Sequence, residues 1–306
     1  MVQILIDKIL SLTLIMAMGF LLVKCKILRS EDSKALSRLS LYLIMRCMIL
    51  TAFQVDYTPE VQSGLLLALL AAAVIHILLM LLNAVLKRLL HLDAVEQVSV
   101  MYSNAGNLII PLVTAILGKE WVIYTSGFIV VQIMLLWSHG KTTLCEEKEF
   151  SFKKVLLNVN MISVLVGIVL FFARVRFPAL LQDTVDSIGG MIGPVSMLVT
   201  GMLIGGMDLK KVISYKRVWL VAFLRLILVP LLVIPLLKYS GIAGLAPDGT
   251  NVLLVTLLAT TTPAAATITQ LAQVYGKDAE YASAINVVTT LLCLVTIPIM
   301  VTLYQL

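Results

Sequence analysis

The chain is 306 residues long, 60% apolar and only 13% charged, with a mean hydropathy of +1.03 and a formal net charge of +6. A soluble domain carries about 25% charged residues, so a water-soluble globular protein is excluded and an all-α polytopic membrane protein is implied. The apolar residues fall in runs of about 20, the length that crosses roughly 30 Å of hydrocarbon, which leaves almost no chain for a soluble domain.

Ten spans are predicted, over about 5–27, 35–54, 61–86, 96–117, 120–139, 155–173, 186–207, 217–238, 250–274 and 281–304. The first is too long for a secretory signal and lacks a basic start and a convincing cleavage site. Span 3 holds two polar candidates, His76 and Asn83, in an otherwise apolar run. Span 4 contains "SNAGNLIIPLV", Ser103 to Val113, in which Asn104, Gly106, Asn107 and Pro111 are poor material for a helix in lipid. A polar "HGKTTLCEEKEFSFKK" (139–154) follows span 5 and splits the chain into 1–139, a linker 140–154 and 155–306. Its "GKTT" (140–143) is no phosphate-binding loop, because Leu135 stands where the first glycine is required and no strand precedes it. In span 7, Gly189, Gly193, Gly201 and Gly205 give small-xxx-small spacing, which marks close helix packing. Span 8 carries Arg225 near its middle with no acidic residue near it in sequence, and span 9 carries "TTTP", Thr260 to Pro263.

Sidedness follows from the basic residues. Of the 23 Lys and Arg, sixteen lie in or beside the loops after spans 1, 3, 5, 7 and 9 and five on the other side, with Arg46 and Arg225 inside spans. The odd-numbered loops are therefore assigned to the cytoplasm and both termini to the outside of a cell membrane. This bias accounts for the net charge without a nucleic-acid partner.

Five spans per half means that the second half starts on the opposite face, so an internal repeat is inverted. Spans 4 and 9 occupy equivalent positions, and each is interrupted by proline and ends alike, in "LGKEW" and "YGKDAEY". A matched pair of interrupted spans points to a transporter's binding site, because broken helix is tolerated in lipid only inside protein or beside a water-filled cavity. The two spans are expected to break near Pro111 and Pro263 and to cross at the midplane. Asn104, Asn107, Thr261 and Thr262 are the candidates to hydrogen-bond freed backbone, a ligand, or both. Gln132 by itself reads as a packing hydrogen bond.

"NAGNLIIPL", "GFIVVQIMLLW" and "TTTPAAATITQLAQVYGKDAEYAS" resemble the auxin efflux carrier family, in particular its short bacterial, malate-permease-like members, over nearly the whole chain. The family's fold is similar to that of plant auxin carriers and sodium/bile-acid symporters. The resemblance implies ten helices in a five-plus-five inverted repeat, with a scaffold of helices 1, 2, 6 and 7 and an elevator-like transport domain of 3–5 and 8–10. It carries substrate contact onto Asn104, Gln132 and Trp137 and hinge roles onto Pro111 and Pro263. Family members commonly have proline in the "LIMxC" stretch of span 2, where this chain has Arg46; the matching stretch of span 7 keeps its proline as Pro194. Arg46 is read three ways: an anion contact, a side chain snorkelling outward, or a change that removes a hinge. The acid–base pair of the plant carriers in span 3 has no counterpart, which puts auxin itself in doubt.

The expected function is a secondary transporter of a small organic anion, a carboxylate such as malate or an auxin-like acid, by an elevator mechanism and as potential-driven efflux. No Asp or Glu lies mid-span, and about 2.3 kcal/mol per charge per 100 mV already drives an anion out of a negative-inside cell. A sodium- or proton-coupled symporter of the bile-acid type is the alternative, with a sodium ion as the one cofactor admitted; a channel is the weaker rival. No catalytic or metal motif is present, the four cysteines show no paired spacing, and a homodimer is left open.

Overall fold

The computed structural model describes residues 2–145 and 159–306. The first helix is α1 (Val2–Lys24). Helices α2 (Ser33–Leu39) and α3 (Met45–Ala52) are joined without interruption by a π-helical turn, Ser40–Ile44. The longest helix, α4 (Pro59–Leu90), precedes a broken pair, α5 (Ala94–Met101) and α6 (Ala105–Ile116). A second π turn, Leu136–Gly140, links α7 (Val122–Leu135) to α8 (Lys141–Cys145). The predicted linker lies outside the described residues from 146 onward, as does the start of span 6.

The second part opens with α9 (Val159–Phe172), α10 (Ala179–Gly189), α11 (Ile192–Gly206) and the short α12 (Leu209–Ser214). A π turn over Leu224–Leu228 joins α13 (Lys216–Phe223) to α14 (Val229–Tyr239). A second broken pair, α15 (Gly249–Thr261) and α16 (Ala266–Val274), precedes the last helix, α17 (Ala279–Gln305).

Among the described residues, six helical stretches are long and apolar enough to cross a membrane: 30–52, 59–90, 119–144, 179–206, 216–239 and 279–305. Large apolar side chains turn outward on these stretches and on α1, among them Leu14 of α1 and Leu81 of α4, each 63% exposed. A soluble protein would bury such faces; a bilayer solvates them. The protein is a multi-pass, all-helical membrane protein, with no strand among the described residues beyond one isolated bridge.

Helix ends near the polar faces carry local caps. Thr58 accepts from the Val61 amide at 3.2 Å in front of Pro59 at the first helical position, the arrangement in which proline's missing donor costs nothing. Asp93 and Glu96 form a reciprocal capping box, and Asp278 accepts from the Tyr281 amide at 2.8 Å. Burial raises the Asp93 carboxyl above its usual range, partly offset by the Glu96 amide it accepts from.

One correction concerns the start of a span. Span 7 begins at Ala179, earlier than predicted, because the polar turn over 182–187 is helical, and it is interrupted at Gly190–Met191. Pro194 sits in the first turn of α11, four residues after Gly190; it has no amide to offer the Gly190 carbonyl, and its ring crowds that position. The glycine face of α11 is taken up inside the chain: a methyl group on Gly201 would overlap the Met16 carbonyl of α1, and one on Gly205 would press on Val23 and the Phe20 carbonyl. Close backbone approach between α1 and α11 therefore requires those glycines.

Candidate functional site

The two broken pairs meet. Ser103, between α5 and α6, and Ala264, between α15 and α16, form an antiparallel bridge. The Asn104 amide donates to the Pro263 carbonyl at 2.8 Å, and the Ala265 amide donates to the Tyr102 carbonyl at 3.0 Å. Each interruption thus supplies the partner that the other lost. Thr262 is extended (ψ 157°), as a residue before proline must be.

The break of span 4 lies at Tyr102–Asn104, seven to nine residues before Pro111, and α6 runs through position 111. This corrects the expected break at Pro111. The extended conformation of Tyr102 (ψ 126°) and the position of Asn104 at the helix N-cap end α5 and start α6, and asparagine is a preferred N-cap residue. At span 9 the break does fall at Pro263.

The remaining backbone groups at the crossing are held by side chains from other helices. Gln132 of α7 is buried, 6% exposed. Its Oε1 accepts from the Ser103 amide at 3.0 Å and the Ser103 hydroxyl at 2.6 Å, and its Nε2 donates to the Ser103 carbonyl at 2.8 Å. On the other strand, Asn286 Nδ2 of α17 donates to the Ala264 carbonyl at 2.6 Å, while Thr289 Oγ1 accepts from the Ala264 amide at 3.1 Å. An unpaired backbone group in an apolar interior costs about 1–3 kcal/mol. These three side chains therefore decide whether the crossing survives in lipid.

The threonines of "TTTP" mend their own helix. Thr260, Thr261 and Thr262 are buried and donate to the carbonyls of Thr256, Leu258 and Ala259 at 2.9, 3.0 and 2.9 Å. Arg225, from the π turn of span 8, reaches three more carbonyls: Nε to Thr262 at 3.2 Å, Nη1 to Val100 at 3.1 Å and Nη2 to Thr260 at 2.6 Å. The C-terminal ends of α5 and α15 are closed by one guanidinium. The N-terminal ends of α6 and α16 have no side-chain cap.

The other predicted site residues are dispersed. Asn104 is half-buried; its amide bonds the Pro263 carbonyl, and its side chain makes no cap hydrogen bond to α6. The side chains of Gly106, Asn107 and Pro111 lie outside the described residues. Trp137 is half-buried against the core in the π turn after Gln132. Arg46 lays its guanidinium over the exposed Tyr42 ring at 5.3 Å, away from the crossing, and its Nε makes no hydrogen bond. His76 is buried against Phe128 (4.9 Å), with Nδ1 on the Ala72 carbonyl at 2.7 Å.

A cavity of about 220 Å³ lies between α1, α3, the α10–α11 bend and α6. Ser11, Thr51, Thr114, Lys119 and Asp186 are its polar walls; of the predicted residues, Pro194 lines it. The Thr51 hydroxyl is buried and without a hydrogen-bond partner. Ile110, on the cavity wall, is six residues, about 9 Å of helix, beyond Asn104 on α6. Nothing local in the sequence marks this cavity, because its walls come from stretches that lie far apart in the chain.

At the other end of the bundle, Glu96 is fully buried yet paired: Arg217 Nε donates to it at 2.5 Å and the Tyr281 hydroxyl at 2.7 Å. Arg217 also reaches the Leu90 and His91 carbonyls at 3.3 and 3.2 Å. On the opposite face, Arg176 pairs with Asp56 and the Phe177 amide donates to Gln54 at 2.8 Å. Loops predicted to share a face thus touch one another.

A family model described as "Membrane transport protein" matches residues 4–149 and 141–301. The search of curated proteins finds no match.

Proposed function

The chain belongs to this membrane transport protein family, that of the auxin efflux carriers, and from that premise we propose that it is a secondary transporter moving a small organic anion across the cell membrane as potential-driven efflux. The observation that carries the reading is the hydrogen-bonded crossing of two broken helices. Such a crossing is costly in lipid, and a carrier that exposes its site alternately to the two sides has a use for it. Half-helix N-termini attract negative charge, and the uncapped starts of α6 and α16 fit a carboxylate. Asn104, at the start of α6, is the side chain we assign to contact it.

The packing fits two groups of helices. The scaffold is α1, α2, α3, α9, α10 and α11; the transport group is α4 to α8 and α13 to α17. The cavity runs between them, with α6 on the transport side and α1, α3 and the α10–α11 bend on the other. Sliding of one group past the other, as an elevator, would carry the crossing relative to those walls. A five-plus-five inverted repeat, with outward termini, would account for two broken helices that enter one crossing from opposite directions.

The test is flux of radiolabelled malate and a panel of monocarboxylates and dicarboxylates in proteoliposomes under an imposed potential. Saturable, counter-exchanging flux is expected, with accumulation ratios for a monoanion approaching about 50-fold per 100 mV. Flux that ignores the potential but follows a sodium or pH gradient would replace this mechanism with coupled symport. Non-saturating flux without counter-exchange would make the protein a channel.

A further inference from the structure

Arg225 is the largest of the fully buried side chains, and among the described residues it forms no ion pair. A buried cation without an anionic partner is costly. Its three acceptors are all main-chain carbonyls, Val100 from the last turn of α5 and Thr260 and Thr262 from the end of α15. A helix C-terminus carries about half an elementary negative charge. Two such ends converge on one guanidinium, so about one negative charge faces one positive charge.

The other carbonyls at the two interruptions are also engaged. Tyr102 accepts from Ala265 and Pro263 from Asn104; Ser103 accepts from Gln132 and Ala264 from Asn286. A mobile cation drawn to unwound backbone would meet carbonyls that each already accept from a protein donor.

We propose that Arg225 is the resident cation of the crossing, a fixed charge standing where a carrier built on two broken helices would otherwise admit a mobile coupling ion. It is a positioning residue: it holds the ends of α5 and α15 together and leaves transport to carry the charge of the substrate alone. The inference rests on the carrier reading for its consequence in transport. Its own test needs no substrate, so a failed flux assay and a failed Arg225 assay are distinguishable.

The measurement is the melting temperature of the purified protein in choline, sodium and lithium chloride at equal ionic strength, for wild type, Arg225→Lys, Arg225→Met and Arg225→Gly. Wild type should melt at one temperature in all three salts. Arg225→Met, of similar length but uncharged, should melt lower by about 5 °C or more, and Arg225→Lys should recover part of that loss. Arg225→Gly, which opens the space, should be raised selectively by sodium or by millimolar guanidinium. Should the glycine variant fail to accumulate, the wild-type salt series and the lysine–methionine pair still decide. A wild type stabilised by sodium over choline would overturn the proposal, because a mobile cation site would then coexist with Arg225. So would a methionine variant as stable as wild type, or a lysine variant no better than methionine.

Discussion

The helix interrupted at Ser103 and the helix interrupted at Ala264 lose the same kind of backbone partner and replace it with different chemistry. At Ser103 one amide side chain, Gln132, serves the backbone N–H, the carbonyl and the hydroxyl together. At Ala264 the same two backbone groups are divided between Asn286 and Thr289, two residues of one helix a turn apart. Only the second interruption has a proline at the break. What the pair teaches is that the break is made by having somewhere else for the backbone to bond, and proline is an accessory. The comparison is broken or sharpened most directly by removing those supports one at a time.

The largest effect is expected at Gln132. Gln132→Leu keeps the volume and strips three bonds, leaving the Ser103 amide, carbonyl and hydroxyl without the partner they have now. At about 1–3 kcal/mol for each buried unsatisfied group, a loss of roughly 3 kcal/mol or more should appear as a lowered melting temperature in detergent, with or without substrate. A Gln132→Leu protein as stable as wild type that no longer binds substrate would move Gln132 from the crossing to the ligand.

The supports of Ala264 should cost less singly, because the work is divided. Thr289→Val and Asn286→Leu each remove one bond to the Ala264 backbone and should each lower stability by about 1–3 kcal/mol. The two residues serve one peptide segment, so their effects should be coupled in a double-mutant cycle. Chemical or thermal unfolding of the two single variants and the double variant measures this. Strict additivity would mean that the two side chains do not act on a shared backbone arrangement.

This contrast also explains what was legible in the sequence. Helix ends at the polar faces announce themselves locally, as with Thr58 before Pro59 or Asp93 three residues from Glu96, because the cap and the capped group are neighbours in the chain. Ends inside the helical bundle are capped from far away: Gln132 is 29 residues from Ser103, and Arg225 is 125 from Val100. No spacing rule reaches that far. That the chain is a multi-pass helical membrane protein was readable from hydropathy, and the interruption of two of its helices from clustered Asn, Gly, Thr and Pro. Which of those residues breaks the helix and which follows it was not, since that depends on where other helices deliver donors and acceptors. Resemblance pointed to Gln132, but its three bonds to Ser103 came only with the fold. The cavity walls, drawn from four well-separated stretches, were beyond local reading altogether.

The smallest effect, and the one whose sign is most telling, concerns the two prolines. At position 111 the chain is already within α6, which spans Ala105–Ile116. Pro111→Ala would restore an amide in helical geometry, with the carbonyl of residue 107 one turn back to receive it, and should raise stability by about 1 kcal/mol. At position 263 the backbone is out of the helix, and the carbonyl of Thr260 is already held by Arg225 and that of Ala259 by the Thr262 hydroxyl. Pro263→Ala would therefore add a buried donor among acceptors already engaged, and it would free Thr262 from the extended conformation that proline imposes. A loss of about 1 kcal/mol is expected there. Paired melting curves of the two alanine variants give the answer. Opposite signs support a crossing held by donors from neighbouring helices; losses of equal size at both positions would return the break of span 4 to Pro111.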